Sequence, residues 1–476
     1  MGFELREQAS TSTPKRCALP LRASCDRPRA QGCDCALLVR PPPHPFGCRK
    51  GQKPLSSSSF DNGFAHAPVM EARAAPTQPR GHPMSATSPT TGLSIIDVDA
   101  HITEPHDLWT SRAPASLKDR VPRVVGTGLE RTWIVDKDIQ ISTANPVSVI
   151  GKDGQKSRGT EFFGWQIEDV HPASYDMKAR VEVLDQFGLF AQILYPNVAG
   201  FGTQNFMKVE DDDLRLACAR IYNEAMAEIQ ADSNNRLLPM AMVPWWNIEQ
   251  SVEEVQRAKG MGLKGIVMCS DPDSIGLPDL GEDAWKPFWD ACNDTGLPVN
   301  FHIGASETSF NMFGRAAWPS NGMRRRLALG SAALFVENSR VCSNMIYSGI
   351  FDRCPNLKVV SVESGIGWIP FVLESLDYEW IETGAQSEVA LEKRPSEYFR
   401  DHFWGCFWFE KIAPTKLIDA IGEDNVLFET DFPHPTCLYP HVQEYIAEVS
   451  VDWSETRKRK IFQDNASKLY GIALPG

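Results

Sequence analysis

The sequence predicts an α/β chain closed into a (β/α)8 barrel with insertions, preceded by a disordered N-terminal extension. Three observations carry that expectation. From residue 173 onward, short apolar runs alternate with segments of helical spacing. Eight such runs occur across residues 91–476, and eight parallel strands joined by helical crossovers close into a barrel. No Gly-rich dinucleotide turn follows the first run, which counts against an open doubly wound sheet.

Residues 1–90 read as a disordered segment, distinct from the barrel at 91–476. They carry 12 Lys+Arg against 6 Asp+Glu, and five of the 12 cysteines (Cys17, Cys25, Cys33, Cys35, Cys48). A proline-rich run at 41–45 and a serine run at 56–59 come without any periodic apolar pattern. The cysteine spacings lack a paired Cys-x2-Cys, against a zinc knuckle. The prolines and the absence of an amphipathic helix argue against an Arg-rich organelle leader. The favoured expectation is that the working protein begins near Met70 or Met84.

The first strand is the run Ile95, Ile96, Val98, which gives out at Asp99 and His101. Residues 106–172 form an excursion rich in Pro, Gly and charge, with a hairpin candidate at 132–142; it is expected to cover the top of the fold. Helices are expected over 173–187, 211–232, 248–260, 282–296, 324 to about 351, 369–383 and 414–422, with two more closing the chain. The strands between them are placed at 191–196, 237–243, 265–269, 298–303, 358–362, 403–409 and 425–431, and loops at 304–321 and 384–402.

The formal charge is −13, and outside the first ninety residues it is 36 Lys+Arg against 55 Asp+Glu, or −19. That balance argues against nucleic acid or an anionic membrane as partner and leaves a small-molecule substrate. No apolar stretch is long enough to span a bilayer and no signal-peptide h-region stands at the start. The seven remaining cysteines (Cys218, Cys269, Cys292, Cys342, Cys354, Cys406, Cys437) are scattered in apolar settings. They fit reduced core thiols in a cytoplasmic enzyme.

Strand side chains alternate faces, so Asp99 and His101 project together. A carboxylate and an imidazole in that register suit a divalent cation such as Zn²⁺, Fe²⁺ or Mn²⁺. Asp-x-His alone is a weak signal, but later strands end in kind: His302 closes the fifth, Glu363 the sixth and Asp431 the eighth. In a barrel these ends converge on one face. Buried unpaired charges cost several kcal/mol unless coordinated or paired. The plainer reading of Glu363 is a salt bridge to an arginine.

Several motifs together resemble the amidohydrolase-related metal-dependent barrel family, in the branch containing aminocarboxymuconate semialdehyde decarboxylase and the resorcylate-type decarboxylases. They are Asp-x-Asp-Ala-His-x-x-Glu-Pro at 97–105, the strand-five His302, Thr-Asp-Phe-Pro-His at 430–434 and Asn-Ala-Ser-Lys-Leu-Tyr-Gly at 465–471. The resemblance covers about 93–472 and implies that Asp99, His101, His302 and Asp431 surround one divalent metal, with Asp99 standing where many relatives have His or Glu. Lys264 precedes the fourth strand and lies at the wrong end to bridge a second metal. Decarboxylating relatives carry a histidine in a His-x-Gly context at the sixth strand end, where this chain has Glu363. Glutamate is a poor copy of a proton-donating neutral imidazole. The expected activity is therefore a mononuclear hydrolase acting on a small, aromatic or acidic carbonyl compound through metal-activated water. Asp431 moves the proton and Glu363 assists. A non-oxidative decarboxylase (carboxy-lyase) is the runner-up and a non-catalytic barrel the third reading.

His434 and Trp368 are expected substrate contacts. Glu104 and Pro105 are read as capping the first loop, His402 as structural, and His106 and His171 as loop residues able to line the pocket. Trp245, Trp246 and Phe301 suggest an aromatic wall or core. A homodimer is implied by the resemblance.

Overall fold

Strand β1 (Ile95–His101) is buried along its whole length, as a barrel strand covered on both faces must be. It pairs in parallel with β5 (Leu189–Tyr195), and β5 pairs with β6 (Leu237–Pro239). Between them in sequence lies the 106–172 excursion. It folds into a three-stranded antiparallel sheet of β2 (Arg123–Val125), β3 (Thr132–Val135) and β4 (Ile139–Thr143), one strand more than the expected hairpin. These statements concern a computed structural model that describes residues 92–306, 308 and 320–475; the extension expected at 1–90 lies outside them.

The remaining strands run β7 (Ala241–Met242), β8 (Ile266–Val267), β9 (Val299–His302), β10 (Val359–Val362), β11 (Phe403–Phe407) and β12 (Val426–Phe428), all paired in parallel. The single run expected at 237–243 bends at Met240 and changes partner: Met240 N–H donates to Leu194 O (2.9 Å) and Ala241 N–H to Gly265 O (3.0 Å). Counting β6 and β7 as one kinked strand gives the eight staves expected. The last seam closes by Asp431 N–H to Asp99 O (2.9 Å) and His101 N–H to Phe432 O (2.7 Å).

Helices between the strands carry the end signals that their sequences advertise. Asp176, Asp211 and Asn247 cap N-termini, and Gly188, Gly262 and Gly296 close C-termini in the left-handed region. The long helical region expected at 324–351 is three pieces, Met323–Leu334, Asn338–Tyr347 and Ile350–Arg353. Its last break falls at Gly349, whose φ of 67° no continuing helix tolerates. The 384–402 loop contains a helix, Pro395–His402, while the helix expected at 414–422 is two short turns, Ile412–Lys416 and Ile418–Ile421. Both departures lie where proline sets local geometry: Pro395 starts a helix at its first position, and Pro414 sits within the first short turn.

Side chains from the strands, among them Ile96, Val98, Ile193, Tyr195, Met240, Val267, Val360, Cys406 and Leu427, fill the barrel interior. All seven main-body cysteines are free and buried. No helix among the described residues is long and apolar enough to cross a membrane.

Candidate metal centre

The strand alternation that places Asp99 and His101 on one face needs a correction. Ile96 and Val98 already point into the interior cluster, so strict alternation would turn Asp99 outward. A register shift between Asp97 and Ala100 re-aims the strand, the usual service of a bulge beside an active site. Asp97 is left behind as a tie: it accepts from Thr430 N–H (2.8 Å), Thr430 Oγ1, Gln192 Nε2 (2.7 Å) and Asp99 N–H (3.2 Å). Burial pushes its carboxyl up to about 6.

Beyond the bulge, the predicted ligands meet. His101 Nε2 lies 3.1 Å from His302 Nε2 and 3.6 Å from both Asp99 Oδ1 and Asp431 Oδ1. His302 Nε2 is 3.7 Å from Asp99 Oδ2 and 3.3 Å from Glu363 Oε2. Ligand atoms of Asp99, His101, His302 and Glu363 fall within 4.8 Å of one another, as do those of His101, Glu363, Asp431 and His434. Glu363, read in the sequence as a catalytic group, thus sits among the candidate ligands. It and Asp431 both adopt positive φ, 51° and 58°, the kind of local strain that clusters at functional sites.

The donor set fits a cation. Both Asp99 oxygens and Asp431 Oδ1 are buried with no hydrogen-bond partner among the described residues. His302 Nδ1 lies 2.6 Å from the Ile303 carbonyl and must donate to it, which leaves the Nε2 lone pair facing the cluster. Burial, then the negative charges of Glu429 and Asp431, pushes the Asp99 carboxyl well above the usual range. Glu363 is raised by burial and then Asp431. Burial lowers His302 to about 3 and takes His101 well below its ordinary value. A buried excess of carboxylates beside neutral imidazoles is what a divalent ion would offset.

His434 stacks on His101, ring centroids 3.5 Å apart. Asn197 Nδ2 donates to Ile102 O (2.9 Å), which turns Asn197 Oδ1 toward His434 Nε2 at 3.0 Å. His434 Nε2 is therefore the protonated nitrogen, and its Nδ1 faces Asp431 Oδ1 at 3.4 Å. Asp431 Oδ2 accepts from the Thr436 hydroxyl.

Above the cluster opens a cavity of about 360 Å³ lined by Trp133, Phe162, Phe163, Phe201, Phe335 and Leu334, with Glu363 and His434 at its floor. The excursion does shape the pocket, and His106 lines it too. Trp368 does not line this cavity; its indole donates to Ser364 O (3.1 Å). Trp245 and Phe301 are core residues, His402 stacks on Phe351 at 4.4 Å, and His171 caps a short turn. Missed in the sequence are Asn197, Phe201, whose ring lies 4.3 Å from that of His302, and buried Glu429, which accepts from Glu363 N–H (3.3 Å).

Glu104 accepts from the Asn197 and Val198 N–H groups (2.9 and 3.1 Å), while its other oxygen has no partner among the described residues. Burial raises its carboxyl to about 7 from 4.5. A folded value above the unfolded one means a contribution fully present below about 4.5 and lost as pH rises through about 7. Glu104→Gln keeps the accepting oxygen and removes the titration. The variant's stability relative to the parent is expected to climb by about 1–3 kcal/mol between pH 5 and pH 8, measured by urea denaturation at the two pH values.

The chain is similar to known proteins over most of the described residues. The chain is 25% identical over 310 residues to 2-amino-3-carboxymuconate-6-semialdehyde decarboxylase of Dictyostelium discoideum, covering 64% of this chain and 79% of that one. It is 24% identical over 302 residues to gamma-resorcylate decarboxylase of a Rhizobium strain, covering 62% and 86%. Among solved structures, an amidohydrolase from Mycobacterium avium subsp. paratuberculosis matches with a TM-score of 0.63 at 24% identity, over 80% of this chain and 100% of that one. A dihydroxybenzoic acid decarboxylase from Polaromonas, solved with manganese and 2-nitroresorcinol, matches at 0.51 and 18% identity, over 80% and 97%. The amidohydrolase family model matches residues 96–472, from the first barrel strand to the closing helix, so the chain belongs to the amidohydrolase family.

Proposed function

We propose that the chain is a divalent-metal-dependent carboxy-lyase that removes CO₂ without oxidation from a small aromatic or conjugated carboxylic acid. One observation carries the reading: an apolar, aromatic-walled cavity opens directly onto a buried acid–histidine cluster. The Dictyostelium and Rhizobium relatives are both decarboxylases, which supports this activity over the hydrolysis expected from Glu363. Asp99, His101, His302 and Asp431 would hold the cation, with Glu363 in reach. When bound, the ion supplies positive charge that fixes a substrate oxygen and stabilises negative charge there.

The chain's own residues supply the rest. Trp133, Phe162 and Phe201 offer apolar faces to a flat ring and keep water from it. His434 Nε2 is committed to Asn197, which leaves Nδ1 facing Asp431 Oδ1 at 3.4 Å, and this pair would hold the proton that the reaction consumes. From that pair the proton passes to the carbon bearing the carboxylate. The carbon–carbon bond then breaks, its electron pair restores the conjugated system, CO₂ leaves, and solvent reprotonates the pair.

Hydrolysis is the second reading, on one observation. Glu363 places a carboxylate 3.3 Å from His302 Nε2, suited to taking a proton from water. Protein stripped with chelator and reloaded with Mn²⁺ is assayed on a panel of hydroxybenzoates and conjugated amino-carboxylates. CO₂ release is expected; acid release from esters, amides or lactones with no CO₂ would overturn the proposal. Reloading alone is expected to stabilise the fold by about 2.7 kcal/mol at a hundredfold excess over Kd, read by thermal denaturation.

A further inference from the structure

A second cavity, of about 400 Å³, lies at the opposite end of the barrel, within the ~300–1,000 Å³ range of small-molecule sites. Lys259, Lys264, Lys358 and Lys468 line it, together with Leu469 and Tyr470, and no acidic side chain among the described residues does. Four elements bring the lysines together. Lys259 and Lys468 stand in the last turns of helices Ile248–Met261 and Asn465–Tyr470. Lys358 directly precedes β10, and Lys264 stands two residues before β8.

A structural role accounts for part of this charge. Helix C-termini carry partial negative charge, and lysines there are stabilising. Three helices end around the cavity, at Gly262, Gly296 and Gly471. At about half an elementary charge each they offset roughly one and a half of the four positive charges. Lys264 Nζ also donates to Gly471 O (3.2 Å). The ion-paired lysines among the described residues are Lys286, Lys393, Lys411, Lys458 and Lys460, none of these four. Mutual repulsion is felt: burial and then the charges of Lys259 and Lys468 hold the Lys358 ammonium below its ordinary range. In a main body of net charge −19, a basic concavity compensated only in part is out of keeping with its surroundings.

We propose that this cavity is a binding site for a small phosphate-bearing polyanion, separate from the metal centre. Four ammonium groups with turning donors match tetrahedral phosphate oxygens as point charges, and the walls of Leu469, Tyr470 and Leu263 limit the ligand to a compact molecule.

Inorganic pyrophosphate is the probe, titrated calorimetrically into the full chain at fixed ionic strength. Saturable binding is expected, with a rise in melting temperature of a few degrees. A Lys358→Ala/Lys468→Ala double variant should weaken binding at least tenfold, and the matching Lys→Arg pair should retain most of it. In the wild-type chain, pyrophosphate should shield Lys259, Lys264, Lys358 and Lys468 from acetylation, and leave lysines such as Lys411 unshielded; this needs no variant to fold. Non-saturable binding, equal affinity in the double alanine variant, the same stabilisation by chloride at matched ionic strength, or no selective shielding would overturn the site.

Discussion

Asp431→Asn is expected to lower kcat by about 10²–10⁴-fold, the usual worth of a positioned acid or base, with a much smaller change in KM. The amide keeps an oxygen for the Thr436 hydroxyl but cannot share a proton with His434 Nδ1, which faces Asp431 Oδ1 at 3.4 Å. Steady-state kinetics of Mn²⁺-loaded protein measure this, and metal content must be determined on the same samples. A loss of activity that tracks lost metal would assign Asp431 a purely ligating role. Full metal with lost turnover would assign it the proton.

Arg180→Met is expected to destabilise the fold by about 3–5 kcal/mol, because removing one member of a buried charge system leaves the others uncompensated. Arg180 is 0% exposed. Its guanidinium donates to His101 O (2.7 Å), Gln192 Oε1 (2.9 Å) and Ala173 O, and it lies 4.6 Å from the Phe432 ring centroid. It therefore ties β1 to β5 and to the segment after β12, behind the candidate ligands. Burial pulls it down to about 9, the nearby Asp97 charge acting in the opposite direction. Urea denaturation at pH 7 gives the loss. Adding Asp97→Asn should recover part of it, since neighbouring charges couple; strict additivity would show the pair to be independent.

The candidate ligands were legible because each ends an apolar run. Asp99, His101, His302, Glu363 and Asp431 all stand where a buried strand yields to polar sequence, and a barrel gathers such ends. The bulge between Asp97 and Ala100 was not legible, because nothing in a strand's sequence announces an extra residue. Asn197 and Phe201 follow β5 in a loop with no periodicity, so their place beside His434 and His302 emerged only in three dimensions. Trp368 was placed at the substrate for its nearness to a strand end, yet it comes five residues after Glu363, and the chain has by then turned away. That turn is held by Glu410, which accepts from the Ile366 and Gly367 N–H groups (both 2.8 Å). Gly365, with φ 65°, leaves the room that the Glu410 carboxylate occupies. Glu363 stands in for a histidine only when the two are compared as single residues; in three dimensions an imidazole, that of His434, reaches the floor of the same cavity from elsewhere in the chain.

The seam between β1 and β12 joins residues about as far apart as the main body allows, with Thr430 reaching Asp97 across 333 positions. Asp99 and Asp431 meet at that same seam, through Asp431 N–H to Asp99 O. During synthesis, a ribosome must therefore deliver nearly the whole polypeptide before the two aspartates become neighbours. A nascent chain halted before β12 would therefore hold an incomplete set of candidate ligands.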